Sequence, residues 1–315
     1  MKTESIQHVS ILGLGTMGHA IAQCFAAGGC QVQCYDESPA ARNSLIERVR
    51  SNLEQMLQAG IYEKRALGKI ESRILLCESE AEALEGTQFV TEAVIEDLDV
   101  KQELFSRIEA HVADDCILAS NTSSFPMTEI SEQMRLPQRA VVTHWFNPPH
   151  IVPLIEVVPG EHTTAETAQA AVELTGRIGK LPILLKRELP GFLVNRIQVA
   201  ILREVCDLLD QGVASPEDID QAIRGSIGVR FAAMGPLEVS DFSGHDIGAS
   251  VFQNLVPHLC VDKKLPRTIQ GLVEAGHFGV KSGRGFYKYT PDSAAARRSE
   301  RDRQFLEIVK MFYSS

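Results

Sequence analysis

The residues Gly13-Leu14-Gly15-Thr16-Met17-Gly18 form a G-x-G-x-x-G loop, and their neighbours give that spacing its meaning. A β-branched run, His8 to Leu12, leads into the loop, and a helix-patterned segment, Ala20 to Ala27, leaves it. A second apolar run, Gln31 to Tyr35, ends at Asp36, eighteen residues past Gly18. Strand, glycine turn, helix, strand and acid in that order describe a βαβ unit that cradles a dinucleotide. Gly13 permits the tight turn, Gly15 lets the backbone approach a pyrophosphate, and Gly18 lets helix and strand pack closely. Gly13, Gly15, Thr16, Met17 and Gly18 are therefore the candidate pyrophosphate residues, at a helix N-terminus that favours negative charge. Asp36 is the candidate partner of the adenosine ribose hydroxyls. Its carboxylate would repel a 2′-phosphate, so the expected cofactor is NAD rather than NADP.

The same alternation continues. Apolar runs recur at Phe89 to Val94, Ile117 to Ser120, Ala140 to His144, Leu154 to Val158 and Pro182 to Leu185. Helical periodicity fills Ala40 to Gln58 and Lys101 to Ala110. Strands alternating with helices predict a mainly parallel, doubly wound sheet. From Gly191 onward the patterns are helical: Phe192 to Gln211, Pro216 to Arg224, Gly248 to Leu259, Pro266 to Ala275 and Ser293 to Phe312. The boundary is expected in Lys186 to Gly191, where Pro190 suits a helix start. The expected architecture is an α/β cofactor domain over 1–188 and an all-α domain over 189–315.

Composition narrows the function classes. Lys and Arg total 31 against 41 Asp and Glu, a net charge of −10, which argues against a general nucleic-acid binder. The cysteine count is 7, odd, with no C-x-x-C pair, so buried reduced thiols and no metal site are expected. Met1 to Ser5 is polar where a signal peptide would need an apolar core. No apolar stretch approaches the roughly 20 residues that span a bilayer. A cytoplasmic protein with no membrane partner is the expectation.

Beyond the glycine loop lies a polar constellation. Ser120 to Ser124 directly follows a strand, His144 ends another, and Glu156 sits in the next. Strand C-termini of an open parallel sheet face the cofactor crevice, so Ser123 and His144 are expected to converge there. Hydride transfer from an alcohol needs a base for its proton, and histidine titrates in the right range. Glu156 could hold the imidazole in one tautomer and stabilise its charged form.

These residues resemble the L-3-hydroxyacyl-CoA dehydrogenase family, over most of the chain to about Tyr289. The resemblance rests on the glycine loop with Asp36, on Glu92 to Lys101, Ser120 to Ser124, His144 to Pro148 and Pro190 to Arg196. It continues through Gly235-Pro236 and Lys281 to Tyr289. It implies a Rossmann-like domain followed by a helical domain that dimerises. It also implies His144 as general base with Glu156 as partner, and Ser123 and Asn195 binding the substrate oxygens. Glu96, Lys101 and Asn121 would lie near the nicotinamide half of NAD.

Two departures bear on the substrate. Members that use CoA esters carry serine and lysine on the helix after the second strand. Here Ser51 remains, the lysines do not, and Arg48, Arg50, Lys64 and Arg65 are the candidate substitutes. The stretch Gly228 to Pro236 is similar to the λ-crystallin/L-gulonate and carnitine dehydrogenase branch, and Arg230 there could clamp a substrate carboxylate. Asn147 to His150 also looks like a branch that oxidises a pyridine-ring alcohol. The expected activity is NAD-dependent oxidation of an L-3-hydroxyacyl compound, as a CoA thioester. The alternative is the same chemistry on a free hydroxy acid or heterocyclic alcohol. A non-enzymatic role like that of lens λ-crystallin is the rival class, and the presence of His144, Glu156 and Asn195 weighs against it.

Overall fold

The structure is a computed structural model that describes residues 6–313. The polar run Met1 to Ser5 lies outside the described residues. Eight strands form one sheet: β1 (His8–Leu12), β2 (Gln31–Tyr35), β3 (Ile74–Leu76), β4 (Phe89–Glu92), β5 (Ile117–Ser120), β6 (Ala140–Trp145), β7 (Leu154–Pro159) and β8 (Leu181–Leu184). Their spatial order is β3-β2-β1-β4-β5-β6-β7-β8. All neighbours are parallel except β6 and β7. The chain winds outward from β1 in both directions, so the strand order reverses between β1 and β4. That is where open sheets of this kind leave a ligand crevice.

Register sets the level of the crevice. Leu12 lies opposite Tyr35 and Glu92, and Glu92 lies opposite Ser120. The glycine loop, Asp36, the turn after β4 and Asn121 therefore all leave the sheet along one edge. Helix α1 (Gly18–Ala27) follows the loop, and α2 (Pro39–Asn43), α3 (Leu45–Gln58) and α4 (Lys64–Glu71) follow β2. The segment expected as one helix from Ala40 to Gln58 is broken at Ser44, whose hydroxyl donates to the Ala40 carbonyl at 2.9 Å.

Both faces of the sheet are covered. On one face Ile11, Val32, Phe89, Val141 and Trp145 pack with Phe25 of α1. On the other, Leu12, Val90, Leu118 and Val142 pack with Phe105 and Ile108. Alternate residues of a strand point to opposite faces, so strands covered on both sides read as unbroken apolar runs.

The chain divides into two compact units, one reaching Asn195 and taking in the residues from Phe305 on, the other running from Arg196 to Gln304. The second unit is helical, with helices Pro216–Ile223, Pro236–Ser243, His245–Leu255 and Arg267–Glu274. Polar ties fix it locally: Asp210 accepts the Thr268 N–H at 3.0 Å, and the Tyr287 hydroxyl donates to Asp220 at 2.8 Å.

Candidate active site

The glycines are explained by what a side chain would strike. A Cβ on Gly18 would lie 1.8 Å from the Gly13 carbonyl oxygen, and one on Gly13, at φ +93°, 2.5 Å from the Ala93 oxygen. A Cβ on Gly15 would meet nothing within 4 Å and would project into open space above the loop. Backbone packing therefore demands glycine at 13 and 18, whereas at 15 the open approach is what a pyrophosphate needs. Met17 precedes α1, and no side chain caps the helix, which leaves its first N–H groups for an anion. Thr16 is exposed beside it.

Asp36 is fixed by the turn it serves. One carboxylate oxygen accepts the Leu14 N–H at 2.6 Å, the other the Ser38 N–H at 2.7 Å. A carboxylate offers about four acceptor positions, so two remain for hydroxyl groups. Arg48 braces the same loop, donating to the carbonyls of Leu14 (2.7 Å), Gly15 (3.0 Å) and Ala41 (3.0 Å). These residues fit NAD: an open glycine cradle, an uncapped helix start and a fixed acid.

At the end of β4 lies a buried ionic network. Lys101, 1% exposed, sits 2.6 Å from Glu92 and 3.3 Å from Glu96. Glu92 also accepts from the Ser120 hydroxyl at 2.5 Å and the Val94 N–H at 2.8 Å. Glu96 Oε1 gathers the hydroxyls of Thr122 (2.7 Å), Ser124 (2.9 Å) and Ser123 (3.2 Å), with the Ser123 N–H at 2.8 Å. Burial alone would raise the Glu96 carboxyl; these donors and the Lys101 charge outweigh it and hold it below the usual carboxylate range. Asn121 leaves β5 beside this network, and its side-chain oxygen accepts the Trp145 N–H at 3.0 Å, joining the end of β5 to β6.

His144 and Glu156 are direct cross-strand partners in the antiparallel β6–β7 pair, which puts both side chains on one face. His144 Nδ1 lies 2.7 Å from Glu156 Oε2. The other carboxylate oxygen accepts the N–H groups of Leu193 (3.0 Å) and Val194 (2.8 Å). Glu156 Oε2 is placed to accept from Nδ1–H, the tautomer that leaves the Nε2 lone pair open. Nε2 makes no hydrogen bond among the described residues. Rings of Phe146 and Phe192 pack against the imidazole at 4.4 and 5.5 Å. Phe192 has φ +51°, rare for a bulky residue, and that turn aims the next two N–H groups at Glu156. Asn195 then donates to the Ser123 carbonyl at 3.0 Å.

Ser123, His144, Glu156 and Asn195 thus come together within the first unit. Arg230 lies exposed in the second unit, in helix Val229–Ala233, its side chain without a hydrogen bond or ion pair among the described residues. Glu92, the turn at Phe192 and the brace of Arg48 have roles here that follow from the fold. An acid closing an otherwise apolar strand was the available signal for Glu92.

Residues 8–188 match the family described as 3-hydroxyacyl-CoA dehydrogenase, NAD binding domain, and residues 191–289 match its C-terminal domain. The chain belongs to the 3-hydroxyacyl-CoA dehydrogenase family. It is an NAD-dependent dehydrogenase that acts on a hydroxyl group. It is 38% identical to a 5-formyl-3-hydroxy-2-methylpyridine 4-carboxylate 5-dehydrogenase of Mesorhizobium japonicum, over 97% of this chain and 98% of that protein. A solved structure of an enzyme so described, an NAD+-dependent dismutase, superposes with TM-score 0.89 at 36% identity, over 97% of this chain and 98% of that one. A probable 3-hydroxybutyryl-CoA dehydrogenase of Bacillus subtilis is 34% identical over 90% of this chain and 98% of its own. Among the described residues no helix is long and apolar enough to cross a membrane.

Proposed function

We propose that the enzyme oxidises the alcohol of a small free carboxylate, a hydroxy acid or a carboxylated heterocyclic alcohol, rather than a CoA thioester. The observation that carries this reading is the engagement of the cations near α3. Arg48 is spent on the glycine loop, Arg50 pairs with Glu71 at 2.5 Å and Arg65 pairs with Glu63. Of the basic residues that could replace the missing lysines, Lys64 alone lacks a side-chain partner among the described residues. A nucleotide phosphate would find little uncommitted positive charge there. The similarity to the M. japonicum enzyme, named for a pyridine carboxylate, points the same way. The similarity to the B. subtilis protein favours the thioester.

In the proposed reaction His144 Nε2 takes the hydroxyl proton as the carbinol carbon gives up its hydride. Bound NAD supplies the hydride acceptor. Glu156 stabilises the imidazolium as it forms, and the Leu193 and Val194 N–H groups keep that carboxylate in place. The hydroxyl of Ser123 and the amide of Asn195 orient the substrate oxygen. Glu96, Lys101 and Asn121 shape the nicotinamide end, and Arg230 is the proposed carboxylate clamp.

One NAD-reduction screen tests the reading. It compares 3-hydroxybutyryl-CoA with 3-hydroxybutyrate, gulonate, carnitine and carboxylated pyridine alcohols. A free acid is expected to show the highest kcat/KM, and Arg230→Ala to raise its KM. A thioester turned over far better than every free acid sinks the proposal.

A further inference from the structure

On the face of β6 opposite His144 lies a cavity of about 400 Å³. Trp145 follows His144 in the strand, so its ring points the other way and joins the opposite core. The walls come from the first unit alone. Met56, Ile61 and Ile178 make them apolar, His150 and Lys180 line them, and Lys310 adds a second cation. The volume falls within the roughly 300–1,000 Å³ of small-molecule pockets.

Lys180 is the unusual member. It is 6% exposed, and its ammonium donates to the carbonyls of Pro149 (2.5 Å) and Val152 (3.1 Å). It lies 5.6 Å from the centre of the Trp145 ring. Among the described residues no carboxylate stands within ion-pair distance of it. Carbonyl groups and a ring face solvate an ammonium but do not neutralise it, and a buried charge without a counter-charge is costly. The two carbonyls and the neighbouring Cys24 thiol meet its donors without supplying a counter-charge. Lys310, by contrast, is matched by Glu307 at 2.9 Å. No residue of the hydride-transfer site lines this cavity.

We propose that this cavity is a second small-molecule site, which takes an organic monocarboxylate with a compact apolar body. The single uncompensated ammonium sets one negative charge, and the apolar walls set the body. Occupancy would neutralise a cation stacked on the strand that carries the catalytic base, so it would be felt at Trp145.

Trp145 is also the only tryptophan in the chain, which makes it a reporter. The probe is phenylbutyrate, and phenylbutyramide is its neutral counterpart. With saturating NAD present, phenylbutyrate is expected to change Trp145 fluorescence saturably, and Asn195→Ala to leave that binding as it was. The amide and the Lys180→Met variant are each expected to bind about tenfold more weakly or worse, the weight of a charge-assisted contact. Ile61→Phe, which keeps the charge and fills the apolar wall, is expected to lose binding even if Lys180→Met does not fold. No saturable signal, equal binding of acid and amide, displacement by NAD, or unaltered binding in Ile61→Phe would each overturn the site.

Discussion

At the scale of single residues, the chemistry turns on one nitrogen left open and two carboxylates held closed. His144 Nε2 has no partner among the described residues, while Glu156 is held by an imidazole and two backbone N–H groups. His144→Ala is therefore expected to lower kcat/KM by roughly 10²–10⁴, the usual weight of general acid–base catalysis. Glu156→Gln keeps an oxygen for the Leu193 and Val194 N–H groups but removes the charge. It is expected to cost about 10- to 100-fold in kcat with little change in KM, the loss of one charge-assisted hydrogen bond. Steady-state NAD reduction measures both, and unchanged rates in His144→Ala would exclude it as the base. Glu96 makes a separate prediction about pH. Its carboxyl is lowered from 4.5 in the folded state, so the folded form holds fewer protons than the unfolded chain. Its contribution is full above pH 4.5 and is lost as pH falls below that through the lowered value. Thermal melts across this acid range are expected to fall more steeply for the native protein than for Glu96→Gln. Parallel curves would show that the Thr122–Ser124 cage adds nothing.

At the scale of elements, the glycine loop separates a packing demand from a binding demand. Gly18→Ala would drive a methyl into the Gly13 carbonyl, 1.8 Å away, and is expected to destabilise by about 1–3 kcal/mol or more. Gly15→Ala meets nothing within 4 Å, so its melting temperature is expected to hold while NAD affinity falls. Calorimetric melts beside NAD titrations distinguish the two, and equal NAD affinity in Gly15→Ala would remove the pyrophosphate from that loop. This unit was legible because its signals are local: a turn that only glycine permits, bracketed by a strand and a helix. β3 was not, since Ile74-Leu75-Leu76 is three residues long and follows α4 without any alternation of its own. The reversal of β7 was equally hidden, because side chains alternate identically in parallel and antiparallel strands. That reversal is what places His144 opposite Glu156, so the residues were readable while their pairing was not. The turn at Phe192 escaped for a related reason. A positive φ at a phenylalanine is imposed by the hydrogen bonds beyond it, and no sequence preference announces it.

At the scale of the whole molecule, the chain leaves its first unit and returns to it. Helix Pro291–Tyr313 lies past the end of the family match at 289, and its residues from Phe305 on belong to the first unit. Leu306 and Val309 pack there on Met56 and Ile151. The second unit is less complete in itself. Helices Pro236–Ser243 and His245–Leu255 have no buried residue, and Leu237, Phe242 and Phe252 are 82%, 79% and 68% exposed. Helices without a covered apolar stripe gain little from packing, and exposed apolar clusters of this kind mark association surfaces. A homodimer formed through the second unit is therefore expected in solution, with light scattering giving twice the chain mass. Phe242→Glu combined with Phe252→Glu would place two carboxylates where the copies meet, and is expected to yield monomer with a lower melting temperature. A native protein that stays monomeric at micromolar concentration, or a double variant that remains dimeric, would move the association surface elsewhere.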